Sequence, residues 1–145
     1  MSREKTLDRQ AGVTAGDREA VIANDRVRVA FDTDSQRYRI EDVCEGTVYI
    51  RDAGCRIDPG GKAWHPVEVV CAAVRETVQD AMWGRGQKLR IWHVPQAGYT
   101  PPHFLDIVLY DEHPFLQLGC GVRNPFDYPV RVAEVQILHE GELFA

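Results

Sequence analysis

The stretch from Leu89 to Leu138 constrains the fold more than any other, because period-2 runs follow one another there with a turn signal at each join. From Pro114 to Arg123, Leu116, Leu118, Cys120 and Val122 share one parity, while Phe115, Gln117, Gly119, Gly121 and Arg123 take the other. Successive side chains of a strand point to opposite faces, so this is the pattern of a strand with one buried face. Ahead of it, Leu105, Ile107 and Leu109 give Phe104 to Tyr110 an apolar odd face. The joins Asp111-Glu112-His113-Pro114 and Asn124-Pro125-Phe126-Asp127 carry turn formers, the second with Pro where its fixed φ suits a type I turn. The last run, Pro129 to Leu138, changes parity between Val132 and Val135, and a β-bulge near Ala133-Glu134 would restore its apolar side to the core. The expectation is a three-stranded meander with residues 114–123 as its centre strand.

The rest of the chain extends the same theme. Residues 1–18 are polar and without period, and read as an N-terminal arm; residues 19–145 read as one β-sandwich domain. Strands are expected at Ala20 to Ala23, at Arg26 to Phe31 with Val27, Val29 and Phe31 inward, at Arg37 to Glu41 with Tyr38 and Ile40 inward, and at Thr47 to Arg51. Asp52 to Pro66 holds three glycines and two prolines and reads as a long loop. Val67 to Trp83 fits either a helical stripe or a strand, and its β-branched valines favour the strand. Gly84 to Gln87 reads as a turn into Lys88 to Val94, where Leu89 and Ile91 oppose Arg90 and Trp92. The fold class expected is all-β, an antiparallel β-sandwich.

Composition closes off several functions. A chain of 145 residues suits a single domain with a core of its own, and a net charge of −5 disfavours a phosphate backbone as partner, so no nucleic acid is expected. No run approaches the roughly 18 apolar residues of a membrane helix, and the start lacks an apolar signal region, so a cytoplasmic protein is expected. In a reducing compartment Cys44, Cys55, Cys71 and Cys120 stay thiols, and Cys120 shares the buried parity of its strand. None of the five histidines stands at metal-ligand spacing on one local element, so a metal site requires convergence in space; no metal ligand and no cofactor is assigned. Tryptophans and tyrosines in or beside loops either plug the ends of the sandwich or stack on the C–H faces of a sugar. Trp64, His65 and Trp92 are the candidate ligand-binding residues: the first two close the longest loop, and Trp92 opposes the apolar parity of its strand.

The segments "NDRVRVAFDTDSQRYRIEDVCEGTVYIRDA", "VRETVQDAMWGRGQKLRIW" and "LDIVLYDEHPFLQLGCGVRNPFDYPVRVAEVQIL" together resemble the N-terminal β-sandwich of the α-galactosidase and raffinose-synthase type glycosidases. The likeness spans about Val21 to Leu138 and is sharpest in "LYDEHPFL" and "VRNPFDYPVRV". It implies part or all of a super-sandwich related to the galactose-mutarotase fold, which in that family precedes a (β/α)8 barrel carrying the catalytic aspartates. That barrel has no counterpart in this sequence, so the resemblance carries over no catalytic residue. It implies a non-catalytic accessory or assembly domain that associates with itself or with a glycosidase catalytic domain. A free-standing carbohydrate-binding module using the loop aromatics is the alternative, and a mutarotase-like enzyme a weaker third reading.

Overall fold

The structure, a computed structural model, describes residues 18–58, 68–96 and 100–144. Its strands are β1 (Glu19–Ala23), β2 (Val27–Asp32), β3 (Arg37–Asp42), β4 (Val48–Asp58), β5 (Val69–Asp80), β6 (Gly84–Pro95), β7 (His103–Tyr110), β8 (Leu116–Val122), β9 (Glu134–His139) and β10 (Glu142–Leu143). They form two antiparallel sheets, one in the order β1-β2-β3-β4-β10 with β9 also on β4, the other a β5-β6-β7-β8 meander. This is an antiparallel β-sandwich, as the alternation predicts. No helix among the described residues is long and apolar enough to cross a membrane. The expected arm falls almost wholly on residues 1–17, outside the described residues, as do Trp64 and His65.

The core forms where the inward parities of the two sheets meet. Ile22, Val29, Phe31, Tyr38, Ile40 and Ala53 from the first sheet pack on Leu89, Ile91, Leu105, Ile107 and Leu109 from the second. All of these are the apolar half of a period-2 run, which is why the register holds: a slip by one residue would turn every one of them to solvent. Polar contacts then tie sheet to sheet. The Asn24 amide donates to the Tyr110 and His113 carbonyls, both at 2.7 Å, while its oxygen accepts from the backbone N–H of Arg26 and Val27. Gln36 donates to the Val69 carbonyl at 2.6 Å, and Arg75 to that of Val21. Asn24→Ala removes both inter-sheet donors and the turn's acceptor, and is expected to cost about 1–3 kcal/mol in urea unfolding. Asn24→Asp, which keeps the acceptor but faces a carboxylate against two carbonyls, should do no better.

Four expectations need correction. Residues 114–123 do not supply a centre strand: β8 is the edge of its sheet, Leu116 and Leu118 are half-buried, and Cys120 is exposed. The facing sheet covers the inward side chains of β6 and β7 fully and those of the margin only in part, so parity alone did not deliver burial. The last run is shorter than Pro129 to Leu138 and belongs to the other sheet. It begins only at Glu134, after the parity defect, and its register slip against β4 falls between Gln136 and His139. Asp52 to Asp58 is strand, not loop. Between Ile40↔Ile50 and Tyr38↔Ala53 the β4 side carries one extra residue, and Asp52 takes a φ of 51°, so the inward parity passes from Ile50 to Ala53 and Ile57. Finally, Gly84 to Gln87 is strand, and the turn is Ala81 to Trp83. Asp80 caps that turn by accepting from the N–H of Met82 and Trp83, and Gly84 supplies the positive φ of 79° that closes it. The favoured strand reading of Val67 to Trp83 holds over Val69–Asp80, as β5, while Val67 lies outside the described residues.

Candidate functional site

The outer faces of the two sheets differ in chemistry. On the first sheet Arg28 pairs with Glu19 and Glu41, and Arg39 with the same two carboxylates, a charged lattice suited to water. On the second, register places Val70 opposite Val94, and Ala72, Trp92, Phe104 and Gly121 in one row across all four strands. Val70 is 49% and Val94 37% exposed. The next row holds Val74, Arg90, Asp106 and Gly119.

Trp92, the one candidate ligand-binding residue among the described residues, therefore lies on an open sheet face and not in a loop. Its ring meets Phe104 edge-on at 4.9 Å and 61°. Phe104 in turn lies across β8 where Gly121 has no side chain; a Cβ there would come within 2.3 Å of the ring. The Arg90 guanidinium stacks 4.0 Å from the Phe104 centroid and 5.8 Å from that of Trp92. Asp106 fixes it with two bonds of 2.7 Å, and these raise the guanidinium's pKa above its ordinary value. Both aromatic rings are thus already engaged, by each other and by a clamped cation. Trp83 is a packing residue, edge-on to Phe115 at 4.9 Å and to His113 at 5.5 Å, and Phe126 stacks on Tyr128 at 5.1 Å.

A second constellation lies inside, at the opposite end of β7 from Asn24. One inward row runs Cys71 on β5, His93 on β6 and His103 on β7, in direct register. Cys55 reaches them from β4 in the facing sheet. Cys55, His93 and His103 each offer a ligand atom, and the three atoms lie within 4.8 Å of one another. The imidazoles stack in parallel, 4.8 Å between centroids and 7° between planes. They are 5% and 4% exposed, and the Nδ1 atom of each is buried with no hydrogen-bond partner among the described residues. Burial, and then the neighbouring His103, pushes His93 down to about 4; burial lowers His103 as well, against the pull of the Pro101 and Cys55 carbonyls. The Cys55 thiol is pushed up to about 12 by burial and then by Cys120 and Cys71, and that of Cys71 likewise by burial. At neutral pH the site holds neutral imidazoles, able to act as ligands, and protonated thiols, which are poor nucleophiles and can bind a metal only by giving up the proton.

Local spacing hid this cluster, because its three residues come from three strands and two sheets. A signal was nevertheless present: His93 continues the inward parity of Leu89 and Ile91, and His103 that of Leu105 and Ile107, so pairing these strands brings the two rings together. Cys55 falls in a stretch whose glycines and prolines read as loop, where no parity can be assigned. Comparison of the chain with family models, with curated proteins and with solved structures finds no match to any of them.

Proposed function

We propose that the chain is a non-catalytic accessory or assembly domain, of the kind that precedes the barrel in the α-galactosidase and raffinose-synthase type glycosidases it resembles. It works through the outer face of the four-stranded sheet, and the occupant of that face is a second copy of the chain. The contrast between the two outer faces carries this reading. A sheet meant for water on both sides has no need to hold valines, a tryptophan and a phenylalanine on one of them, and clustered exposed apolar side chains mark surfaces that partners cover. The Arg90–Asp106 pair fits the rim of such a contact, where a clamped bidentate ion pair orients without demanding full desolvation.

Sugar binding is the alternative, and the engagement of Trp92 counts against it: its ring is packed edge-on with Phe104 and has the Arg90 guanidinium 5.8 Å from its centroid, which narrows the surface a sugar could stack on. The catalytic pair of a retaining glycosidase, two carboxyls about 5 to 5.5 Å apart, belongs in that family to the barrel. The test joins sedimentation of the purified chain to calorimetric titration with galactose and raffinose and an assay on a chromogenic α-galactoside. Reversible self-association, no turnover and sugar binding no tighter than about millimolar, roughly −4 kcal/mol, are expected. Micromolar sugar binding abolished by Trp92→Ala in a monomeric chain would replace assembly with the binding-module reading.

A further inference from the structure

We propose that Cys55, His93 and His103 form a metal site for a zinc-type divalent cation that clasps the two sheets of the sandwich together. The ligand types are those zinc selects: one thiolate and two imidazoles, a borderline-soft set. Their placement suits a clasp. Cys55 belongs to the first sheet, His93 and His103 to the second, so one ion joins the layers at the end of β7 that the Asn24 clamp does not reach. The rings also have an unmet need. A buried polar atom without a partner is costly, and among the described residues the Nδ1 of each of these two stacked rings is such an atom. A cation held by both rings would offset that cost.

The geometry requires a modest closure. Bonds of about 2.0–2.1 Å to nitrogen and 2.3 Å to sulfur put tetrahedral ligand atoms roughly 3.3–3.6 Å apart, so the 4.8 Å cluster tightens by about an ångström. An ion lies in the plane of each imidazole that binds it, so one ring also turns out of the parallel stack. Both are side-chain rotations on strands that stay where they are. Carbonyls of Ile91 beside His93, and of Pro101 and Cys55 beside His103, are at hand to orient the rings, as outer-shell acceptors do in metal sites. Binding releases the Cys55 proton to solvent, and the ion's charge replaces it as the partner of the sulfur. Three protein ligands leave a fourth coordination position open.

The full chain, stripped with a chelator, is titrated with Zn(II) against a chromophoric competitor and with Co(II) followed by absorption. One equivalent of each should bind, and Co(II) should develop a thiolate-to-metal charge-transfer band. Cys55→Ser should abolish that band and weaken Zn(II) by more than the roughly 10–100-fold that loss of an outer-shell partner costs. His93→Gln and His103→Gln should each weaken binding while keeping the band, and Cys44→Ser, at the exposed β3–β4 turn, should change nothing. Should Cys55→Ser fail to fold, the chain with Cys44, Cys71 and Cys120 all changed to Ser decides: Co(II) must still give the thiolate band, and Zn(II) binding must release about one proton per ion at neutral pH. Failure of the folded chain to bind Zn(II) and Co(II) stoichiometrically, full binding by Cys55→Ser, loss of the thiolate band when only Cys44, Cys71 and Cys120 are changed, or binding of Cu(I) alone would each overturn the assignment.

Discussion

Leu105→Ala is expected to cost about 2–5 kcal/mol in urea unfolding, because its side chain is fully enclosed and the cavity left behind cannot collapse. Leu105 lies at the centre of the second sheet's inner face, between Ile91 on β6 and Cys120 on β8, with the first sheet packed over it. The loss therefore combines transfer free energy with the contacts of every neighbour that stays in place. Leu118→Ala, one strand outward on the same face, should cost about 1 kcal/mol, since a half-buried side chain gives up less area and leaves a gap that water fills. This gradient from β7 to β8 is the energetic form of the edge-strand correction. Equal losses at the two sites would mean that β8 is covered in solution as completely as β7.

Val70→Lys combined with Val94→Asp should weaken self-association by about 100-fold or more, corresponding to roughly 2.7 kcal/mol, while leaving the thermal midpoint of the dilute chain nearly unchanged. The two residues are register partners on the outer face, so the substitutions place opposite charges directly across the β5–β6 hairpin, a pairing that supports the sheet. In an interface the same charges must lose their water. Sedimentation equilibrium gives the first quantity and circular dichroism melting the second. Association that persists unchanged would move the contact to another surface.

Where each strand kept one parity, the sequence was enough: β3 alternates, β2 and β7 do so apart from Ala30 and Tyr110, and Val29, Phe31, Tyr38, Ile40, Leu105, Ile107 and Leu109 are buried as their parity requires. Legibility failed where geometry departs from strict alternation. Asp52, with its left-handed φ, shifts the parity of β4 midway, so the second half of that strand looks like loop and Cys55 looks incidental. The glycines of Gly84 to Gln87 suggest a turn, yet Gly86 pairs with Tyr110 in a strand, and glycine is there because a Cβ would meet the Leu109 carbonyl at 2.7 Å. Cys120 has the inward parity but stands at a sheet margin, and a position in a sheet is set by pairings far apart in the chain. The candidate sites divide in the same way. Trp92 opposes the apolar parity of its own strand and can be picked out locally, whereas the Cys55–His93–His103 cluster exists only once two sheets have packed.

Hydroxyl-radical labelling of the intact chain at low and high protein concentration, read residue by residue by mass spectrometry, tests most directly the claim that the outer face of the β5–β8 sheet is an assembly surface. Trp92, Phe104, Val70 and Val94 should become protected as concentration rises, while Met82 at the hairpin tip and the Arg28 and Arg39 side of the first sheet stay equally reactive. Labelling of Trp92 and Phe104 that does not change with concentration, or protection that falls on the charged face instead, would contradict it.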